Sequence, residues 1–200
     1  IYVLGSNSRL TAIDADTGGQ DWSVTFGSLS QDNVGIHADE NYVAAINGTT
    51  LYCFEAATGK FMWSHFCKFA VEAPPVVTSG RIFVPLLDGR LEVFEIAKEG
   101  FGSKTVIARG VPTSRPIVTN RVVGWGTNVG YLNFTGLEER LGTSLIYRLK
   151  GGGRIASTPT LRDELIYTGC DDGFFYAIRE ATGQMEWQTS LGIPVSQSPF

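Results

Sequence analysis

Residues 10–22 read LTAIDADTGGQDW and residues 175–187 read FYAIREATGQMEW. Both place Ala-Ile third and fourth, Thr-Gly eighth and ninth, and Trp thirteenth. The match runs further back: residues 1–22 lie over 166–187 without a gap, Ile1 on Ile166 and Tyr2 on Tyr167. A third copy, LYCFEAATGKFMW at 51–63, sets Thr58-Gly59 and Trp63 at 41 residues beyond the first. The outer copies are 165 apart, close to four such steps, so two more units are expected between them. They are present in degenerate form, with Phe94 of RLEVFEI 40 residues past Phe54 and Phe134 of YLNF 40 further on. Prolines give the same period independently, because Pro75, Pro116, Pro159 and Pro199 follow one another at 41, 43 and 40. A repeat of about 40–45 residues built from β-type runs predicts the blades of a β-propeller.

Each unit reads as four short antiparallel strands. In the last complete unit these are 155–161 (IASTPTL), 165–170 (LIYTGC), 174–180 (FFYAIRE) and 185–190 (MEWQTS). Asp172-Gly173, like Asp88-Gly89, is expected to form a two-residue hairpin turn, since Asp-Gly tolerates positive φ. The recurrent proline marks the innermost strand, an edge where a missing N–H leaves no ladder bond unmade. Trp22, Trp63 and Trp187, with Tyr147 about one period before Trp187, fall on the outermost strand. There an indole can cover the rim of the next sheet and donate its N–H to a neighbouring carbonyl. The units run roughly 1–28, 29–69, 70–109, 110–151 and 152–193, with 194–200 the first strand of a further or closing blade. Residue 1 enters at the second strand of a unit. The phase therefore fits either an arc of five consecutive blades from a seven- or eight-bladed propeller or a closed ring of five. The wide aromatic blade faces favour the arc.

Composition excludes several functions. The 20 acidic and 16 basic residues are interspersed, giving a net charge of −4 and no patch that would attract a nucleic acid. No apolar run approaches the ~20 residues of a membrane span. The first residues, IYVLGSNSRL, carry neither the basic head nor the cleavage site of a signal peptide. The chain lacks an initiator Met, so it reads as processed, excised or incompletely represented. Cys53, Cys67 and Cys170 match no zinc or CxxC spacing and read as packing residues. Neither His37 nor His65 stands at ligand-pair or nucleophile–base spacing. The acidic CDDG at 170–173 is explained by turn geometry before any calcium loop is needed.

The segments AIDADTGGQDW, CFEAATGKFMW and AIREATGQMEW come with DG-type hairpins and inner stretches such as IASTP and VSQSP. Together they resemble the repeats of the pyrroloquinoline-quinone-like β-propeller family. That family includes quinoprotein alcohol dehydrogenases and the outer-membrane-assembly lipoprotein of Gram-negative bacteria, so the resemblance is specific for fold and not for function. It implies a periplasmic, cell-envelope or secreted location. Its enzyme branch implies a quinone held between a Trp and a disulfide of adjacent cysteines, a Glu/Asn-bound calcium and an Asp base. This chain has no adjacent cysteines, and Trp125 is the only Trp outside the outer-strand motif, so no functional residue carries over.

The expectation is a non-catalytic all-β propeller that presents channel-mouth loops to a protein or small-molecule partner. No catalytic, cofactor-binding or metal residue is named, and no cofactor is implied. The alternatives are a fragment of a quinoprotein dehydrogenase and a lectin-like propeller with repeated sugar pockets.

Overall fold

The structure, a computed structural model, describes residues 1–71, 73–97, 100–136, 145–148 and 152–199. Among them every regular element is a strand. The strands fall into five sheets, each a meander of sequence neighbours. The first holds β1 (Tyr2–Leu4), β2 (Arg9–Ile13) and β3 (Gln20–Thr25). The second holds β4 (Asn33–Ala38), β5 (Tyr42–Asn47), β6 (Thr50–Glu55) and β7 (Phe61–Phe66). The third is β8 (Val76–Thr78), β9 (Arg81–Pro85), β10 (Arg90–Ala97) and β11 (Gly100–Ile107). The fourth is β12 (Ile117–Val118), β13 (Val122–Gly126), β14 (Tyr131–Gly136) and β15 (Leu145–Arg148). The fifth is β16 (Thr160–Arg162), β17 (Leu165–Gly169), β18 (Phe174–Arg179) and β19 (Met185–Ser190). These are propeller blades, as the repeat period requires.

The chain divides into two compact units, residues 1–84 with 92–104, and residues 85–91 with 105–200. In the first, Leu10, Phe26, Val43, Ala45 and Phe54 form a buried cluster between the facing sides of the first two sheets. In the second, Leu132, Phe134, Ile155, Ile166, Tyr176 and Ile178 do the same for the fourth and fifth. Alternation along each strand sends these side chains to the faces that stack.

Two local expectations are corrected. The Asp-Gly hairpins have three-residue loops, not two. Cys170 N–H donates to Phe174 O (3.1 Å) and Gly173 N–H to Cys170 O (3.2 Å), with Gly173 at φ 84°. This is a type I turn closed by a left-handed residue. Ser8 fills that place in the first sheet at φ 57°.

The innermost strand is also shorter than 155–161, since β16 starts at Thr160, immediately after Pro159. Pro75 and Pro116 likewise stand just ahead of β8 and β12. Upstream of the proline a side chain replaces the backbone ladder. Ser157 Oγ accepts the Gly169 N–H at 2.9 Å, and Ser114 Oγ accepts that of Gly126 at 2.8 Å.

Finally, the described part of 194–200 adds no strand to the first sheet, in which β1 pairs with β2 alone; Phe200 lies outside the described residues. Val195 N–H donates to Cys170 O (3.1 Å), Thr158 N–H to Ser198 Oγ (2.8 Å) and Thr160 Oγ1 to Pro199 O (2.8 Å). Among the described residues no closing strand forms beside β1, in line with the arc that the aromatic blade faces favour.

The outer-strand aromatics dock as their period implies. Trp22 Nε1–H and the Tyr2 hydroxyl both donate to Ala56 O, at 2.9 and 3.2 Å. A Cβ added at Gly59 would lie 2.5 Å from the Trp22 ring. Between the fourth and fifth sheets, the Tyr147 hydroxyl donates to Thr182 O at 2.9 Å, and a Cβ at Gly183 would fall within the Tyr147 ring. The Ala-Thr-Gly turn is thus both a left-handed turn and a seat for the preceding sheet's aromatic. Trp63 is the exception: its Nε1 is buried without an acceptor, and its ring packs against Phe101 at 4.6 Å and Phe94 at 6.0 Å.

Candidate protein-docking site

The residues weighed for chemistry in the sequence serve the scaffold. Cys53, Cys67 and Cys170 are free and buried, and burial pushes their thiols up to about 12, 12 and 11. His37 Nδ1 accepts the Val77 N–H at 3.0 Å. His65 packs on Phe94 and Phe101, with Glu92 at 4.0 Å. Asp172 accepts from Phe174 N–H (3.0 Å) and from the Tyr176 hydroxyl (2.6 Å), so its carboxylate is spent on the turn. A quinone does not fit this donor set: Cys53 lies in β6 and Cys67 and Cys170 just past β7 and β17, no two of them adjacent in sequence, and Trp125 is fully buried in a sheet.

A different group stands out in the second unit. After β11 the backbone at 108–111 is pinned between two hairpins. Ala108 N–H donates to Gly89 O at 2.9 Å. Val111 N–H donates to Asn128 Oδ1 at 2.9 Å, Asn128 N–H to Val111 O at 3.0 Å, and Asn133 Nδ2–H to Arg109 O at 3.3 Å. Gly110, at φ 82°, lets the segment approach so closely that a Cβ there would lie 2.5 Å from Val129 Cγ2. The neighbouring hairpin is held by Thr127, whose Oγ1 accepts from Tyr131 N–H and donates to Tyr131 O, both at 3.0 Å.

This frame presents Arg109 and Tyr131, and the end of β15 adds Arg148. Arg109 Nη1–H donates to the Tyr131 hydroxyl at 3.2 Å. The two guanidinium carbons lie 5.7 and 5.5 Å from the centroid of the same ring, within cation–π range. The hydrogen bond from Arg109, with both positive charges, lowers the Tyr131 hydroxyl below its ordinary pKa. Among the described residues neither arginine is in an ion pair. Beside them, Ile107 is 75 % and Val129 42 % exposed.

Two like charges on one ring repel. A carboxylate placed between them relieves that repulsion and gains charge-assisted hydrogen bonds from planar donors. Arginine and tyrosine with exposed aliphatic neighbours on a fixed backbone is the composition of a protein-binding hot spot. No sequence argument named these residues. They lie in the two degenerate units, and their only signal was departure from the repeat, such as Arg109-Gly110 ahead of the inner-strand proline.

Residues 6–100 match the family profile described as outer membrane protein assembly factor BamB. The chain is 25 % identical over 194 residues to outer membrane protein assembly factor BamB of Burkholderia pseudomallei, covering 97 % of this chain and 40 % of that protein. It therefore spans well under half the length of this curated relative. Among solved structures, BamB from Moraxella catarrhalis superimposes with a TM-score of 0.80 at 16 % identity, over 98 % of this chain and 59 % of that one. The computationally designed protein Ika8 gives 0.78 at 16 % identity, over 100 % and 61 %. Likenesses at such identity establish the fold alone.

Proposed function

We propose that the chain, whose residues 6–100 match the profile of an outer-membrane-protein assembly factor, is part of a non-catalytic, cell-envelope propeller that holds a protein partner during outer-membrane protein assembly. The similarity to assembly factors supports the process. The Arg109–Tyr131–Arg148 group supports the mode: it is a rigid cationic and aromatic surface with no nucleophile–base pair beside it among the described residues. The partner presents a carboxylate to the two guanidiniums and an apolar residue to Ile107 and Val129.

The test places a photo-crosslinking residue at Ile107 in the full-length protein expressed in a Gram-negative cell. We expect one dominant adduct with a component of the outer-membrane assembly machinery, lost when Arg109 and Arg148 are both changed to Glu. An adduct pattern indifferent to both reversals would overturn the docking mode. Robust turnover in a hydrolase, lyase or dye-linked dehydrogenase screen would overturn the non-catalytic reading.

A further inference from the structure

The chain leaves the outer strand of four sheets by one and the same step: the first N–H after the strand donates to the hairpin of its own sheet. Phe26 N–H bonds Ser8 O (3.1 Å), Cys67 N–H bonds Thr49 O (2.8 Å), Ala108 N–H bonds Gly89 O (2.9 Å) and Leu191 N–H bonds Gly173 O (2.8 Å). These bonds align Phe66, the last residue of β7, with Ile107, the last of β11, and Lys68 with Arg109. Both pairs stand 41 residues apart, one period of the repeat. Phe66 is 70 % exposed, as Ile107 is. Lys68 Nζ lies 5.8 Å from the centroid of the Phe69 ring, much as Arg109 lies over Tyr131. In the first and fifth sheets the aligned residues are Thr25 with Gly27 and Ser190 with Gly192. The fold therefore needs neither an apolar side chain nor a cation at this step.

No blade is missing beside Phe66, because the second sheet has both faces occupied. Phe54 and Val43 are buried against Leu10 and Phe26 on the side of the first sheet. Trp63 and His65 pack on Phe94 and Phe101 of the third. A second apolar side chain is held out by the same hairpin. Leu29 is 75 % exposed at the corner of a turn closed by Gln31 N–H to Ser28 O at 3.2 Å. Buried Asn47 braces that turn: Ser28 N–H donates to its Oδ1 at 2.8 Å, and its Nδ2–H donates to Gln31 O at 3.0 Å. Gly48 N–H adds a bond to Asp32 O at 2.8 Å. Residues 47–49 thus fix both the turn that carries Leu29 and the chain that carries Phe66 and Lys68. Among the described residues Lys68 is in no ion pair.

We propose that Leu29, Phe66 and Lys68 form a second docking point, for a partner segment that sets an apolar side chain beside a carboxylate. This rests on the reading that the chain holds a protein partner, and it does not depend on the Arg109 group. The apolar side chain covers Phe66 and Leu29, and the carboxylate meets the Lys68 ammonium and fixes the register. Asp32, exposed at the foot of the Leu29 turn, would repel an anionic lipid surface, so the occupant is a protein.

The test puts benzoylphenylalanine in place of Phe66 in the full-length protein, in a Gram-negative cell. We expect one dominant adduct with a protein of the outer-membrane assembly machinery, its attached peptide carrying an Asp or Glu next to the point of attachment. Lys68→Glu should abolish the adduct, and changing that partner acid to Lys should restore it. No adduct, attachment to lipid or to a second copy of this chain, a yield indifferent to Lys68→Glu, or a loss that the partner change does not restore would overturn the proposal. Phe66→Ser installs what the fifth unit carries and should leave the denaturation midpoint where it is; a clear drop would show that the ring serves packing and would overturn it too. An adduct here with none at Ile107 would uphold this docking point and remove the Arg109 mode. The reverse would keep that mode and remove this point.

Discussion

Trp22 and Trp63 hold the same position in successive repeats but have opposite hydrogen-bonding fates. Trp22 donates to Ala56 O, whereas the Trp63 N–H is buried without an acceptor. Replacing each by Phe keeps most of the ring and removes the N–H. Trp22→Phe should cost about 1 kcal/mol, the net worth of a hydrogen bond. Trp63→Phe should cost less or stabilise, because it deletes an unsatisfied donor whose burial costs roughly 1–3 kcal/mol. Chemical denaturation midpoints of the two variants check this, and a larger loss at Trp63 would contradict it. The tryptophans were legible from sequence because they recur. The failed bond at Trp63 was half legible: the next unit reads Ala-Lys-Glu-Gly at 97–100, where the first, second and fifth units read Asp-Thr-Gly or Ala-Thr-Gly. With no Thr-Gly seat ahead of it, that indole turns to Phe101.

At the level of the element, the recurrent proline revealed the period but misplaced the strand it announced. A proline can sit in an edge strand, so 155–161 was a permissible strand. The structure instead starts the ladder at Thr160 and bridges the upstream residues through Ser157 Oγ and Ser114 Oγ. Side-chain acceptors of this kind leave no trace in hydrophobic alternation, which is why the boundary was missed. Ser157→Ala strands the buried Gly169 N–H and should destabilise by about 1–3 kcal/mol. Amide exchange at Gly169 should quicken by more than at Ile166, one step into the paired ladder. Equal effects at both amides would mean that the hydroxyl is incidental. The three-residue hairpins were missed for a related reason, since Asp-Gly is compatible with several loop lengths and the register decides among them.

Across the whole molecule the repeat made the propeller legible, and the same regularity hid the proposed docking site. Arg109, Tyr131 and Arg148 are spread over two weak repeats and converge only through the pinned backbone at 108–111. The cysteines, read from sequence as packing residues, are free and buried, and their burial carries a pH signature. Thiols held at about 11–12 do not ionise near neutrality. Native-state alkylation of all three should therefore stay slow from pH 7 to 9, while a free thiol accelerates as its thiolate forms. For linkage, the folded pKa lies above the unfolded one, so the stabilisation is complete below the ordinary thiol value of 9.0 and is lost as pH rises towards 12. Labelling counted by mass spectrometry checks the rate, and alkaline denaturation checks the sign. Rapid native labelling of Cys53 at pH 8 would contradict both.

The seating of Trp22 over Gly59 and of Tyr147 over Gly183 separates the unit of inheritance from the unit of packing. A gene duplication copies one repeat, but the selectable contact joins an aromatic in one copy to a glycine roughly one repeat later. The two positions must drift together although they never share a blade. Losing either frees the other, which is how a Thr-Gly seat can be lost, as at 97–100, while those at 58–59 and 182–183 stay intact. Recombination between paralogous blades is then neutral only when the incoming glycine finds an aromatic already waiting upstream. The lineage of such a propeller should record crossovers at the outer strands far less often than at the hairpins.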